Sequence, residues 1–134
     1  MTFVLDASVA LSWCFPDESN EYAQDVFRRL SADDAVAPAI WPFEAANALV
    51  VGSRRGRITV EQAREGIRLL AKVGVKLDSA VELTSRSALE LAVVHGLSVY
   101  DAAYLALAQR LNVPLATADQ KLQRAARELM LSIV

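Results

Sequence analysis

This chain of 134 residues has one cysteine, one histidine, five glycines and four prolines, and each scarcity excludes something. Cys14 alone closes no internal disulfide, and a lone cysteine with a lone histidine offers no zinc-ligand spacing. The five glycines build no phosphate-cradling loop. No run free of charged side chains exceeds about ten residues, half of the ~20 that cross a membrane. A basic n-region and a cleavage site are both missing at the N-terminus, so no signal peptide is expected, and the expected compartment is the cytoplasm. Repeats, low-complexity tracts and linkers are also missing, which predicts a single domain over 1–134.

Present in quantity are apolar residues, 54% of the chain against 22% charged, enough for a sizeable core. Residues 2–5 read as a short buried strand. Ser19 is placed to cap a helix over about 20–31. Val36-Ala37 is a strand candidate, and Pro42 opens a helix over about 42–54 at a position where proline is tolerated. Thr59 with Gln62 spells a capping box for a helix ending near Val73, before Gly74. Val75 to Leu77 is a third strand candidate, followed by a helix over about 79–95 that closes at His95-Gly96. Ser98 caps the next, to about Leu111. Leu115 to Thr117 reads as strand, 119–130 as helix and Leu131 to Val134 as a last strand. Alternation of this kind predicts an α/β fold with a parallel sheet covered on both faces.

Four acids stand at the edges of these segments. Asp6 ends the run Phe3-Val4-Leu5, and Asp119 follows Leu115-Ala116-Thr117. Glu44 and Asp101 open helices. Each alone has an ordinary explanation as a helix cap or first-turn acid. Their shared position argues for more, because strand ends and helix starts meet at one edge of a parallel sheet, where ligands bind. Two carboxylates about 5 Å apart repel by roughly 3 kcal/mol at an effective dielectric near 20. A cluster of four must therefore share protons or bind a cation. Oxygen-only ligands select Mg²⁺ or Mn²⁺ over Zn²⁺. Such an ion neutralises phosphoryl charge and activates water, so phosphodiester hydrolysis is the reaction expected.

Charge bears on the substrate. The formal net charge of −2 argues against general nucleic-acid binding, yet setting the four acids aside turns it into +2 for the remainder. Arg28-Arg29, Arg54-Arg55 with Arg57, and Arg124 with Arg127 form local basic groups, read first as solvated helix faces. His95, at a helix end, reads as a complement to the helix dipole. Trp41 and Tyr104 read as core.

Four segments in order, Val4-Leu5-Asp6-Ala7-Ser8, Glu44-Ala45-Ala46-Asn47-Ala48-Leu49, Tyr100-Asp101-Ala102-Ala103-Tyr104-Leu105-Ala106-Leu107-Ala108 and Leu115-Ala116-Thr117-Ala118-Asp119, resemble those of the PIN-domain ribonucleases, and within them the VapC-type toxins. The resemblance covers nearly the whole chain. It implies a three-layer α/β/α fold around a central parallel sheet of four to five strands. Asp6, Glu44, Asp101 and Asp119 would form the catalytic acidic set around Mg²⁺ or Mn²⁺, with Asp6 and Asp101 as the most direct ligands. Ser8 and Thr117 would be supporting hydroxyls, and Asn47 a site-facing polar residue one turn beyond Glu44. Further implications are endonucleolytic RNA cleavage, a homodimer, and a cognate antitoxin packed near the site. Trp13, Phe15, Ala45, Ala48 and Val51 either line a groove for that antitoxin or belong to the core. A non-catalytic PIN-fold binding or regulatory module is the alternative. A phospho-acceptor domain ranks below both, because Ala7-Ser8 stands where an adjacent acidic pair would be needed.

Overall fold

Thr2–Leu5 forms β1, and its central place in the sheet decides where the acids end up. The computed structural model describes every residue from Met1 to Val134. Phe3, Val4 and Leu5 are all buried, as expected of a parallel strand covered on both faces. One side of β1 pairs with β2 (Asp34–Ala37), Thr2 opposite Asp34 and Val4 opposite Val36. On the other side lies β4 (Leu115–Ala116), with Leu5 opposite Ala116. β3 (Lys76–Leu77) pairs with the outer side of β2, giving the order β3-β2-β1-β4, all parallel. The terminal strand expected over 131–134 shrinks to one parallel bridge between Ile133 and Leu115, because Met130 turns the chain at positive φ and leaves few residues to pair.

Seven helices make this a three-layer α/β/α fold: α1 (Ala7–Ser12), α2 (Glu21–Arg29), α3 (Trp41–Arg54), α4 (Val60–Val73), α5 (Val81–His95), α6 (Val99–Leu111) and α7 (Gln120–Glu128). Local chemistry sets most ends. Thr59 and Gln62 bond each other's backbone amides in a full capping box at the start of α4, and Gly74 ends that helix in the left-handed conformation. Ser98 Oγ accepts from the Asp101 amide at 3.0 Å to begin α6. The cap of α2 is Asn20 rather than Ser19: its side chain accepts from the Ala23 amide at 2.8 Å, while Ser19 takes only the side chain of Gln24. α5 begins at Val81, two residues later than its pattern suggests, because the Asp78 carboxylate ties down the Ala80 amide and the Thr84 hydroxyl.

Packing then fixes the helices that carry acids. Ala88 and Ala92 of α5 meet Ala102 and Ala106 of α6, four small side chains that let the two backbones approach closely. Tyr104, Leu105, Leu107 and Ala108 of α6 join β1, β2 and β4 in the main core. Helix α3 is held by Phe15, Leu49 and Ile58, and Gly52 leaves the space that the Phe15 ring fills.

Candidate active site

β1 is flanked by β2, reached early in the chain, and β4, reached late. The crevice beyond their C-terminal ends is therefore the switch point of the sheet, the usual ligand site of open α/β folds. Asp6 leaves β1 there, and its amide still bonds the Ala116 carbonyl of β4 at 2.9 Å. That ladder bond sets Thr117 beside Asp6, across 111 residues of sequence.

Asp6 occupies the cap position of α1 without capping it. Its Oδ2 instead accepts from Ser8 Oγ and from Thr117 Oγ1, each at 2.7 Å. Both hydroxyls are themselves aimed. Ser8 Oγ accepts from the Ala118 amide at 3.1 Å, and Thr117 Oγ1 accepts from the Asp119 amide at 3.1 Å. Two relays, amide to hydroxyl to carboxylate, thus converge on one oxygen of a residue that is 6% exposed. Burial nevertheless pushes the Asp6 carboxyl above its ordinary pKa, the two hydroxyls only partly offset that, and the charge of Asp101 adds to it.

Glu44 and Asp101 stand in the first turns of α3 and α6. Half-buried Glu44 accepts at Oε1 from the Tyr104 hydroxyl at 2.6 Å. Its pKa is raised by burial, pulled back by Tyr104, and raised again by Asp6 and Asp101. Asp101 is raised by burial and then by Asp119, against the pull of Ser98 and Lys121. Tyr104 is pushed far above the ordinary phenol value by burial and by the charges of Asp6 and Glu44, so it remains a proton donor at any working pH. Asp119 caps α7 through the Lys121 and Leu122 amides at 2.9 and 3.3 Å. One of its oxygens is therefore committed to the helix.

The four acids are thus coupled, though not equally. Asp6, Glu44 and Asp101 act on one another, and Asp119 acts on Asp101. As placed, no three acidic, histidine or cysteine side chains converge on one ion-sized point. Mg²⁺ commonly takes only one or two protein carboxylates and keeps several waters, so a converging triad is not a requirement for it. The donor set is oxygen only, and desolvated carboxylates that raise one another's pKa are those a divalent cation relieves.

Ser8 and Thr117 stand against Asp6, whereas Asn47 is exposed on α3 and bonds none of the acids. Two contributors were hidden in the sequence. Tyr104 reads as core, which it is, yet it also serves Glu44; its position three residues after Asp101, on the same helical face, was the available signal. Lys121 is remote from Asp101 in sequence, but its ammonium bonds the Gly96 carbonyl at the turn into α6 and its charge acts on Asp101. His95 makes a contact of 3.1 Å with Glu128, away from the acids.

A cleft of about 630 Å³ adjoins Asp119, Ser8 and Ala118 and runs past Phe15, Ala48 and Val51 to Arg55 and Arg57. Ala45 is fully buried and belongs to the core instead. Trp13 lines a separate cleft of about 500 Å³ with Phe27, which holds none of the four acids.

The PIN domain family profile matches residues 3–128, and the chain belongs to the PIN-domain family. Ribonuclease VapC3 of Pyrobaculum aerophilum is 32% identical over 124 residues, 91% of this chain and 92% of that protein. Among solved structures, VapBC-1 from nontypeable Haemophilus influenzae superposes with a TM-score of 0.65 at 19% identity, over 100% of this chain and 97% of the other. VapC20 of Mycobacterium tuberculosis, a sarcin-ricin loop cleaving toxin, gives 0.65 at 14% identity, over 92% and 94%. At such identities the two structures bear on the fold alone, and both carry the three-layer architecture.

Proposed function

We propose that this chain is a Mg²⁺- or Mn²⁺-dependent endoribonuclease and the toxin of a toxin–antitoxin pair. Kinship with ribonuclease VapC3 supports the nuclease reading, and the carrying observation is the coupled trio Asp6, Glu44 and Asp101 at the sheet's switch point. When bound there by Asp6 and Asp101, with Glu44 and Asp119 completing its surroundings, a divalent cation supplies neutralising charge for the scissile phosphate and lowers the pKa of water. The protein's own part is orientation. Ser8 and Thr117 hold the Asp6 carboxylate at one rotation, and Tyr104 occupies Oε1 of Glu44. Oε2 of Glu44 is left to accept a proton from the attacking water as its oxygen bonds phosphorus; the old P–O bond breaks and the leaving oxygen takes a proton from solvent to depart as the alcohol.

RNA is the proposed substrate, with Arg55 at the far end of the cleft placed to meet its backbone. The apolar middle of that cleft, Phe15, Ala48 and Val51, suits an antitoxin segment, and a homodimer and cytoplasmic residence complete the reading. No helix is long and apolar enough by itself to cross a membrane. Expression of the chain alone in a bacterial host, scored for growth beside Asp6→Ala at equal protein level, tests the toxin. The parent should arrest growth and the variant should not. Purified protein should cut RNA with Mn²⁺ or Mg²⁺, and Asp101→Asn should abolish cleavage while the fold survives.

A second reading, a non-catalytic module that binds through the same fold, is favoured by the lack of any three converging acids. It predicts that growth arrest persists in Asp6→Ala, and that no RNA in a broad panel is cut with either metal.

A further inference from the structure

Among the acids, Asp6 is held by two hydroxyls, Asp119 by the amides of its own helix, and Asp101 by its neighbour Ser98. Glu44, unlike Asp6 with its two donors, depends on a single side chain. Its one hydrogen-bond donor is Tyr104, 60 residues away, at 2.6 Å. Tyr104 has no exposed surface, so its hydroxyl is a polar atom placed inside the main core, where phenylalanine would pack without needing a partner. The contact ties α3 to α6, the helices that carry Glu44 and Asp101. Because Tyr104 lies three residues beyond Asp101, strut and acid share one rigid helical face. A glutamate without that bond turns freely about its side-chain torsions and loses its fixed relation to the other carboxylates.

The geometry points to Tyr104 as a positioning residue for this site, its buried hydroxyl fixing Glu44 against α6 so that Glu44 and Asp101 act from one set orientation. This inference rests on the reading of the acids as a metal-dependent nuclease centre. Supporting groups around metal ligands typically change affinity or activity by about 10–100-fold when removed.

The test compares the parent chain, Tyr104→Phe, Glu44→Ala and the double variant. Each is titrated with Mn²⁺ alone, followed by electron paramagnetic resonance, and assayed for RNA cleavage. Tyr104→Phe should fold, weaken Mn²⁺ binding about tenfold and lower kcat about 10–100-fold with KM nearly unchanged. In the Glu44→Ala background, which has no acceptor for the hydroxyl, the same substitution should change Mn²⁺ affinity less than about twofold. Para-aminophenylalanine at position 104, which restores a donor, should recover most of the lost affinity. Parental Mn²⁺ affinity and kcat in Tyr104→Phe would overturn the inference. So would an equal loss in both backgrounds, or a Tyr104→Phe chain that does not fold, since each marks a purely structural hydroxyl. Should the parent bind Mn²⁺ but cut no RNA, the proposed activity fails while the Mn²⁺ arm still decides Tyr104. A parent that binds no Mn²⁺ overturns both.

Discussion

Asp6, Glu44 and Asp101 hold their protons more tightly than free carboxylates, and burial is the first cause for each. The consequence for stability has a definite sign. Folded pKa values above the unfolded 3.8 for aspartate and 4.5 for glutamate mean that the folded chain binds more protons between the two values. Stability from these groups is full below the unfolded pKa and is lost as pH rises through the folded one. Asp78 runs the other way: its hydrogen bonds from Thr84, Ala80 and Arg110 outweigh burial, so its contribution is lost only as pH falls below 3.8. The metal-free protein should therefore melt higher just above pH 4.5 than at pH 7, and a calorimetric pH series checks this. Asp6→Asn should raise the Tm of metal-free protein at pH 7 by several degrees and flatten the pH slope, since about 1 kcal/mol moves the Tm of such a domain by ~2–8 °C. Saturating Mn²⁺ should flatten the slope in the parent too. Thr117→Val removes a hydroxyl that serves both Asp6 and the Asp119 amide. Denaturant unfolding should report a loss of about 2 kcal/mol for it, the scale of a hydrogen bond to a charged group.

Elements follow local rules wherever local chemistry is unambiguous. Thr59, Gln62 and Gly74 spell the start and stop of α4, and the helix obeys them because its caps and its amphipathic stripe agree. Asn20 displaces Ser19 as the cap of α2 since adjacent capping residues differ by a single position, which only the backbone resolves. α1 has no counterpart among the elements expected from the sequence, six residues being too few to show a period. The acids themselves were legible from their places at segment edges. Ser8 and Thr117 are expected beside the acids only through the family resemblance, since Thr117 meets Asp6 by strand pairing, whereas Tyr104 reads as core because it meets Glu44 through packing, its spacing from Asp101 being the one local signal. Gly52 is another case. In a helix interior, alanine normally exceeds glycine by about 1 kcal/mol. Here a Cβ would lie 2.5 Å from the Phe15 ring, which is itself buried between α3 and Ile58. Gly52→Ala should thus destabilise, by about 1–3 kcal/mol as overpacking does, and urea unfolding gives the sign directly.

At the scale of the molecule, the acid cluster and the surface charge pull in opposite directions. Formal charge is −2, so the proposed RNA substrate would meet a weakly repulsive whole and would have to be held by local cations. Several arginines are already engaged: Arg28 with Asp25, Arg29 with Asp33, and Arg57 with Asp17 and Glu18. Arg54, Arg55, Arg124 and Arg127 stand exposed outside every ion pair. Of these, Arg55 shares a cleft with Ser8 and with Asp119, the one of the four acids that lines it, so its charge would meet a strand running from that acid. Arg28 is the natural control, being paired in the last turn of α2, at the sheet edge opposite the acids. Binding of single-stranded RNA to the Asp101→Asn chain, followed by fluorescence anisotropy across a salt series, separates the two. Each phosphate contact adds about 0.7 to the slope of log K against log salt for single strands. Arg55→Ala should lower that slope by about 0.7 and weaken binding at low salt, for any RNA sequence. Arg28→Ala should leave both unchanged. An Arg55→Ala chain with the parental slope would place the RNA backbone elsewhere, toward Arg124 and Arg127 on α7.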